Sequence, residues 1–389
     1  MKQQRIVRGV LGLAGLLLAA CTGSGAATSV PTADVPIIAA TATATALPVG
    51  VDTPWKDLGL SGHLLYSLGV QGLHYLDLAT AEERVIFTLP EDAWLTAVSA
   101  AADGSSLALA YAPPPADGGA QLGYTGIYEL PGECLTRPMP CTADDLTVLV
   151  DRTDPHEAYF SPLWSPDGAY LFFAHFTPSD AGSASPFAYT LERLPMAGGA
   201  AAGPAEAILK DGLWPALNTD GSQMVYVYSD PNDYTNSLHV AAADGTNVRP
   251  LTSPKDFTAV DAPLFTLDGQ TVIFSAVGEG PAAAALRSPF AWLDALTGAT
   301  AAEAAPPPAP PAWPLAHNVP SDWWSMPVAG GTPTRLSNQF DTGMFGDLAP
   351  DGKYMAYISA SGLWALPVTG GDPQKLLDVS GYGTLEWLP

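Results

Sequence analysis

Five Asp-Gly pairs, at Asp103-Gly104, Asp167-Gly168, Asp220-Gly221, Asp268-Gly269 and Asp351-Gly352, sit inside one repeated apolar frame. Three positions before each Asp stand Ala100, Trp164, Leu217, Phe265 and Leu348. Three and five positions after each Gly stand Leu107/Leu109, Leu171/Phe173, Met224/Tyr226, Val272/Phe274 and Met355/Tyr357. Apolar residues at alternate positions on both sides of a Gly-containing turn describe two antiparallel strands that each bury one face. Asp-Gly favours the positive backbone angles of tight hairpins, so the frame predicts a hairpin wherever it recurs.

A second hairpin follows each of these. Trp323 to Leu336 and Leu363 to Leu376 are close copies, each an apolar strand, a Gly pair and another strand. Leu191 to Gly199 and Leu238 to Gly245 are looser copies, and Leu73 to Leu78 with Arg84 to Leu89 supplies another. Four strands per unit, repeating at roughly 40 to 50 residues, are the signature of a β-propeller. The chain ends on Thr384-Leu-Glu-Trp-Leu-Pro389, an inner strand with no turn after it, whereas Ser61 to Tyr66 reads as a turn and second strand with no first. Joining the two closes the circle and removes the open edges, which predicts an all-β, six-bladed propeller of four-stranded antiparallel blades.

The first twenty residues read as a signal peptide, with Lys2, Arg5 and Arg8 before an apolar stretch from Val10 to Leu18 that is too short to span a bilayer. Leu18-Ala19-Ala20-Cys21 resembles the lipobox of bacterial lipoproteins, which implies lipidation of Cys21 and an extracytoplasmic, membrane-anchored protein. Residues 21–54 are rich in Ala, Thr and Pro and read as a disordered tether that holds the folded part ~30 Å from the lipid. Residues 55–389 form the propeller, with an insertion at about 278–320. The remaining cysteines, Cys134 and Cys141, share a short Pro-containing loop in an exported chain, so they are expected to form a local disulfide.

Trp164-Ser-Pro-Asp-Gly168 and Leu348-Ala-Pro-Asp-Gly352, each followed by an alternating strand, resemble the WD40-like Pro-Asp repeat of TolB-type six-bladed propellers. The resemblance covers almost everything from residue 55 onward. Ala102, Thr219 and Leu267 replace the Pro in the other three turns, and there is no room for the amino-terminal domain that TolB places before its propeller. The implied membership is the broader group of envelope lipoproteins with this propeller.

In such a blade the connections from second to third strand leave on the same face as those that lead to the next inner strand. Pro113 to Gly123, Thr177 to Phe187 and Gly278 to Pro320 all lie there, whereas the Cys134 to Cys141 loop falls on the other face. Binding residues favour elaborated loops on a rigid scaffold, so that face is the expected working surface. The largest insertion carries Phe290, Trp292, Trp313 and His317, either as a structural flap or as a partner contact. Trp94, Tyr159, Trp214, Asp261, Asp341 and Tyr382 precede or open the inner strands and are expected at the channel mouth. There they either bind a sugar or a basic side chain, or fill the channel.

The formal charge of -24, from 15 Lys+Arg against 39 Asp+Glu, disfavours nucleic acid. No catalytic motif emerges. His156-Glu157 lacks the second His of a zincin, Phe160 standing in its place, and no Gly-x-Ser-x-Gly or phosphate-cradling loop occurs. Asp230, Asn232 and Asp233 lack EF-hand spacing and read as a solvated turn. No cofactor is implied. Two functions follow: a non-catalytic module that binds an envelope protein or polysaccharide, and a metal-dependent propeller lactonase, hydrolase or lyase whose ion is held near the channel by Asp261 and Asp341.

Overall fold

The computed structural model describes residues 45–46, 54–115, 124–179, 187–233, 235–278, 319–379 and 383–389. They form an all-β, six-bladed propeller of four-stranded antiparallel blades. From inner strand A to outer strand D, blade 1 is Leu385–Leu388, His63–Ser67, Leu73–Asp77 and Glu82–Phe87. Blade 2 is Trp94–Ala100, Ser106–Ala112, Gly126–Pro131 and Thr147–Val150, and blade 3 is Ala158–Trp164, Tyr170–Pro178, Phe187–Ala197 and Glu206–Lys210. Blade 4 is Gly212–Leu217, Gln223–Ser229, Asn236–Ala242 and Arg249–Pro250. Blade 5 is Ala259–Phe265, Thr271–Val277, Asp322–Pro327 and Thr334–Arg335, and blade 6 is Phe345–Leu348, Tyr354–Ser359, Gly362–Pro367 and Gln374–Leu377. Thr45–Ala46 adds a short fifth strand outside blade 1, paired with Glu82 and Glu83.

The five Asp-Gly turns are one structure repeated. Each Gly has φ between 66° and 69°. Each Asp accepts at Oδ1 from the N–H two residues on, at 2.9 to 3.0 Å. Only the Gly adopts positive φ, so the hairpin is an ordinary type I turn finished by a left-handed Gly, not the mirror-image turn that Asp-Gly also permits. The apolar frame then explains the packing. Leu107, Leu109, Leu171, Phe173, Met224, Val272, Phe274, Met355 and Tyr357 are fully buried between blades. Each large apolar side chain so buried contributes roughly 1.5 to 3 kcal/mol.

The ring closes as the split blade predicts. His63, Leu64, Leu65 and Tyr66 pair with Leu388, Trp387, Glu386 and Leu385 in antiparallel register. Trp387 is buried and donates its indole N–H to the carbonyl of Ser61 at 2.9 Å. Trp55, in the short helix Pro54–Asp57, is fully buried in the core shared by blades 1 and 6 and donates to the carbonyl of Leu78 at 2.8 Å.

Cys134 and Cys141 form a disulfide, with Cα atoms 5.8 Å apart. Their loop leaves from the face expected but does not stay there. It folds back along the outer strand of blade 1, where Cys141 N–H donates to Ile86 O at 2.8 Å and Thr88 N–H donates to Cys141 O at 2.9 Å. The guanidinium of Arg84 donates to the carbonyls of Leu135 and Arg137. The loop that the bridge closes therefore fastens blade 2 to blade 1 at the rim.

Candidate binding face and channel

Each inner strand touches the inner strands of both neighbouring blades, which makes a closed wall around the axis. In blades 2 to 5 that wall is bulged, with register shifts between Leu95 and Ala97, Phe160 and Leu163, Leu213 and Ala216, and Asp261 and Leu264. Ser161, Trp214 and Ala262, each just before a Pro, take φ of 52°, 44° and 44° at the bulges. A bulge re-aims the side chain it carries. Trp214 thereby meets Phe160 of blade 3 at 6.1 Å and Phe345 of blade 6 at 6.4 Å between ring centroids. Blade 5 lies between blades 4 and 6, so the Trp214–Phe345 contact crosses the channel. Trp214 is 7% exposed. It is a channel plug, not a surface for a sugar ring, and Phe160 and Phe345 complete it without any mark in the sequence that singles them out.

The other predicted positions separate. Tyr159 is buried, stacked on His175 at 4.2 Å, and His175 Nδ1 lies 2.8 Å from Glu192. Burial, reinforced by Glu157, Glu192 and Asp151, pushes the Tyr159 phenol up to about 12, so it stays protonated. Trp94 is half-buried and covers Gly69, where a Cβ would stand 3.2 Å from its ring. Asp261 is buried and accepts from Ala262 N–H at 2.8 Å. Asp341 accepts from Ser359 Oγ at 2.5 Å, from Ser361 Oγ, and from Thr342 N–H at 2.8 Å. Its backbone pairs with Ser321, at the outer edge of blade 5, whereas Asp261 pairs with Ser275 from the inner edge. Three strand spacings, roughly 14 Å, separate those edges.

Trp214 thus lies inside the plug, and Asp261 and Asp341 lie at opposite edges of blade 5. Among the described residues no group of three or more His, Cys, Asp or Glu is placed to hold a metal ion. Tyr382, Cys21, Phe290, Trp292, Trp313 and His317 lie outside the described residues, as do the signal peptide and nearly all of the tether.

The face where inner strands begin has its own character. Glu91, Asp92, Asp151, Asp154, Asp233 and Asp378 are exposed in its loops, and among their described residues the only Lys or Arg are Arg152 and Lys255. Phe340 stands on the same face, 61% exposed and with φ of 55°. Its cause is Asp322, a buried carboxylate on the third strand of blade 5. Asp322 Oδ1 accepts from Gln339 N–H at 2.8 Å, Phe340 N–H at 3.1 Å and Ser337 Oγ at 3.1 Å, while Oδ2 pairs with Arg335. Paired and hydrogen-bonded in this way, the buried charge is satisfied, and it fixes the loop that presents Phe340. No sequence pattern marks Phe340, because its exposure is set by a carboxylate eighteen residues earlier.

No protein-family model and no curated protein matches the chain. Solved structures do. A putative TolB from Agrobacterium tumefaciens matches at 15% identity over 84% of this chain and 99% of that one, with a TM-score of 0.52. The fold is that of the TolB-like propellers. A nidogen/laminin complex matches at 10% identity, 84% and 98% coverage and a TM-score of 0.50. TolB from Acinetobacter baumannii matches at 12% identity, 83% and 69% coverage and a TM-score of 0.47. No helix among the described residues is long and apolar enough to cross a membrane.

Proposed function

We propose that this is a lipid-anchored envelope propeller, held through Cys21, that acts as a non-catalytic module and binds a protein or polymer through the face carrying the insertions. The carrying observation is Phe340. A large aromatic held outward in a left-handed conformation by a buried carboxylate is arranged at some cost, and such strain collects at contact and switch sites. A preorganised aromatic surrounded by polar groups has the composition of a binding hot spot. The exposed carboxylates around the face favour a partner with basic groups there. Of the two carboxylates that the metal-dependent reading draws on, Asp341 is engaged by two serines and Asp261 accepts from Ala262 N–H.

The test is capture from a detergent extract of native membranes by the full-length protein. Phe340→Ala with Trp94→Ala is expected to lose the partner, while Leu267→Ala, an exposed position on the opposite face, keeps it. Equal capture by wild type and the double variant would reject this choice of face, and stoichiometric calcium or zinc in the purified protein would count against a non-catalytic role.

A further inference from the structure

One position on the inner strands works between blades. Ser99, Asp347 and Glu386 stand just before Ala100, Leu348 and Trp387, the residues that pair with the second strand at the turn end of their blades. The side chains of Ser99 and Asp347 reach the backbone of the next blade. Ser99 Oγ accepts from Trp164 N–H at 3.2 Å, and Asp347 Oδ2 accepts from Trp387 N–H at 2.8 Å. Glu386 holds the same position on the last strand, beside Ser99 and Ala100 of blade 2. Straps thus run from blade 6 to blade 1 and from blade 2 to blade 3, and Thr384 Oγ1, which accepts from Val98 N–H at 3.0 Å, joins blade 1 to blade 2. In blades 3, 4 and 5 the same position holds Leu163, Ala216 and Leu264, which have no side-chain acceptor. The polar half of the ring is the half containing the closure.

Asp347 and Glu386 are carboxyls on adjacent inner strands, and among the described residues the strands packed on Leu385–Leu388 carry no Lys or Arg. The strands packed on Leu385–Leu388 are His63–Ser67, Trp94–Ala100, Phe345–Leu348 and Tyr354–Ser359. Their titratable side chains are His63, Tyr66, Asp347, Tyr354 and Tyr357. His63 stacks on Tyr75 and lies 4.0 Å from Asp77. Tyr66 donates to Glu83, Tyr357 donates to Gln339, and Tyr354 packs on the apolar core of the interface. Ala259–Phe265, which packs on Phe345–Leu348, adds Asp261, whose carboxylate accepts from Ala262 N–H, and Glu386 feels the charge of Asp347.

We propose that Asp347 and Glu386 form a proton-dependent clasp that fastens the C-terminal strand into the ring while a proton is held on the pair and loosens that strand when both ionise. Burial pushes Glu386 up to about 8, with the negative charge of Asp347 as the second cause. Burial pushes Asp347 up to about 6, opposed by the Trp387 and Leu348 N–H groups. Because both folded values lie above the ordinary carboxylate range, the folded state holds more protons than the unfolded chain from about pH 4 to 8, and stability falls as pH rises through that window. The shared titration belongs to the pair and not to either residue alone.

Hydrogen exchange on the full-length protein tests this, since the Trp387 amide is itself a strap donor. Between pH 5.5 and 8.5, protection of a peptide covering 385–389, corrected for intrinsic base catalysis, is expected to fall about tenfold or more, because a carboxyl raised by one pH unit on folding changes the equilibrium by a factor of about ten. Protection of Gln223–Ser229, in the unstrapped half, should stay constant. An absent fall, or an equal fall in both peptides, which general repulsion in an acidic chain would produce, overturns the proposal. Glu386→Gln, which keeps the acceptor without the ionisation, is expected to flatten the profile; a profile like the wild type's would also overturn it.

Discussion

Ser67 and Thr384 are 317 residues apart in the chain and bonded to each other twice. Ser67 N–H donates to Thr384 O at 3.0 Å, and Thr384 N–H donates to Ser67 Oγ at 3.1 Å. Thr384 Oγ1 also accepts from Val98 N–H of blade 2 at 3.0 Å. A single residue at the start of the last strand therefore joins the two ends of the propeller and the next blade.

Trp387→Ala should lower stability by about 3 to 5 kcal/mol, because it removes a buried indole from the closure along with its bond to Ser61. Urea unfolding monitored at blade 4 as well as globally checks it. A loss confined to the terminal strand would show that the blades do not unfold together.

Replacing both Cys134 and Cys141 by Ser should cost about 2 to 4 kcal/mol. The loss should be accompanied by faster exchange at Thr88 and Cys141, whose amides hold the loop to the rim of blade 1.

Trp214→Ala should cost about 3 to 5 kcal/mol by opening a cavity in the channel plug. Partner capture under conditions where the variant stays folded should be unchanged. Trp214→Phe should retain most of the stability, since an aromatic still meets Phe160 and Phe345.

Phe340→Gly should be neutral or stabilise the fold by about 1 kcal/mol, because glycine accepts the left-handed angle that phenylalanine holds under strain. The same variant should lose partner capture. Thermal unfolding and capture measured side by side decide whether stability has been given up for contact at this position.

The blade count, the shared Asp-Gly turn and the closing strand were legible because they rest on local alternation and on turn chemistry, both written in adjacent residues. Trp164 and Trp387 occupy matching slots, opposite Leu171 and Leu64. The channel was not legible. Whether Trp214 points to solvent or to Phe345 depends on a bulge and on a ring from another blade, more than a hundred residues away. Asp341 and Asp261 carry the same charge and lie near equivalent strand ends, yet the loop geometry sends one to the outer edge. Phe340 was hidden for the opposite reason: an aromatic in a polar loop reads as buried until the carboxylate beneath it is seen.

The most direct measurement is site-specific photo-crosslinking in native membranes, with a benzophenone side chain placed at Phe340 or at Leu267. A single strong adduct from position 340 and none from position 267 is the predicted result. An adduct from position 267 with none from position 340 would put the partner on the opposite face and contradict the proposed binding surface.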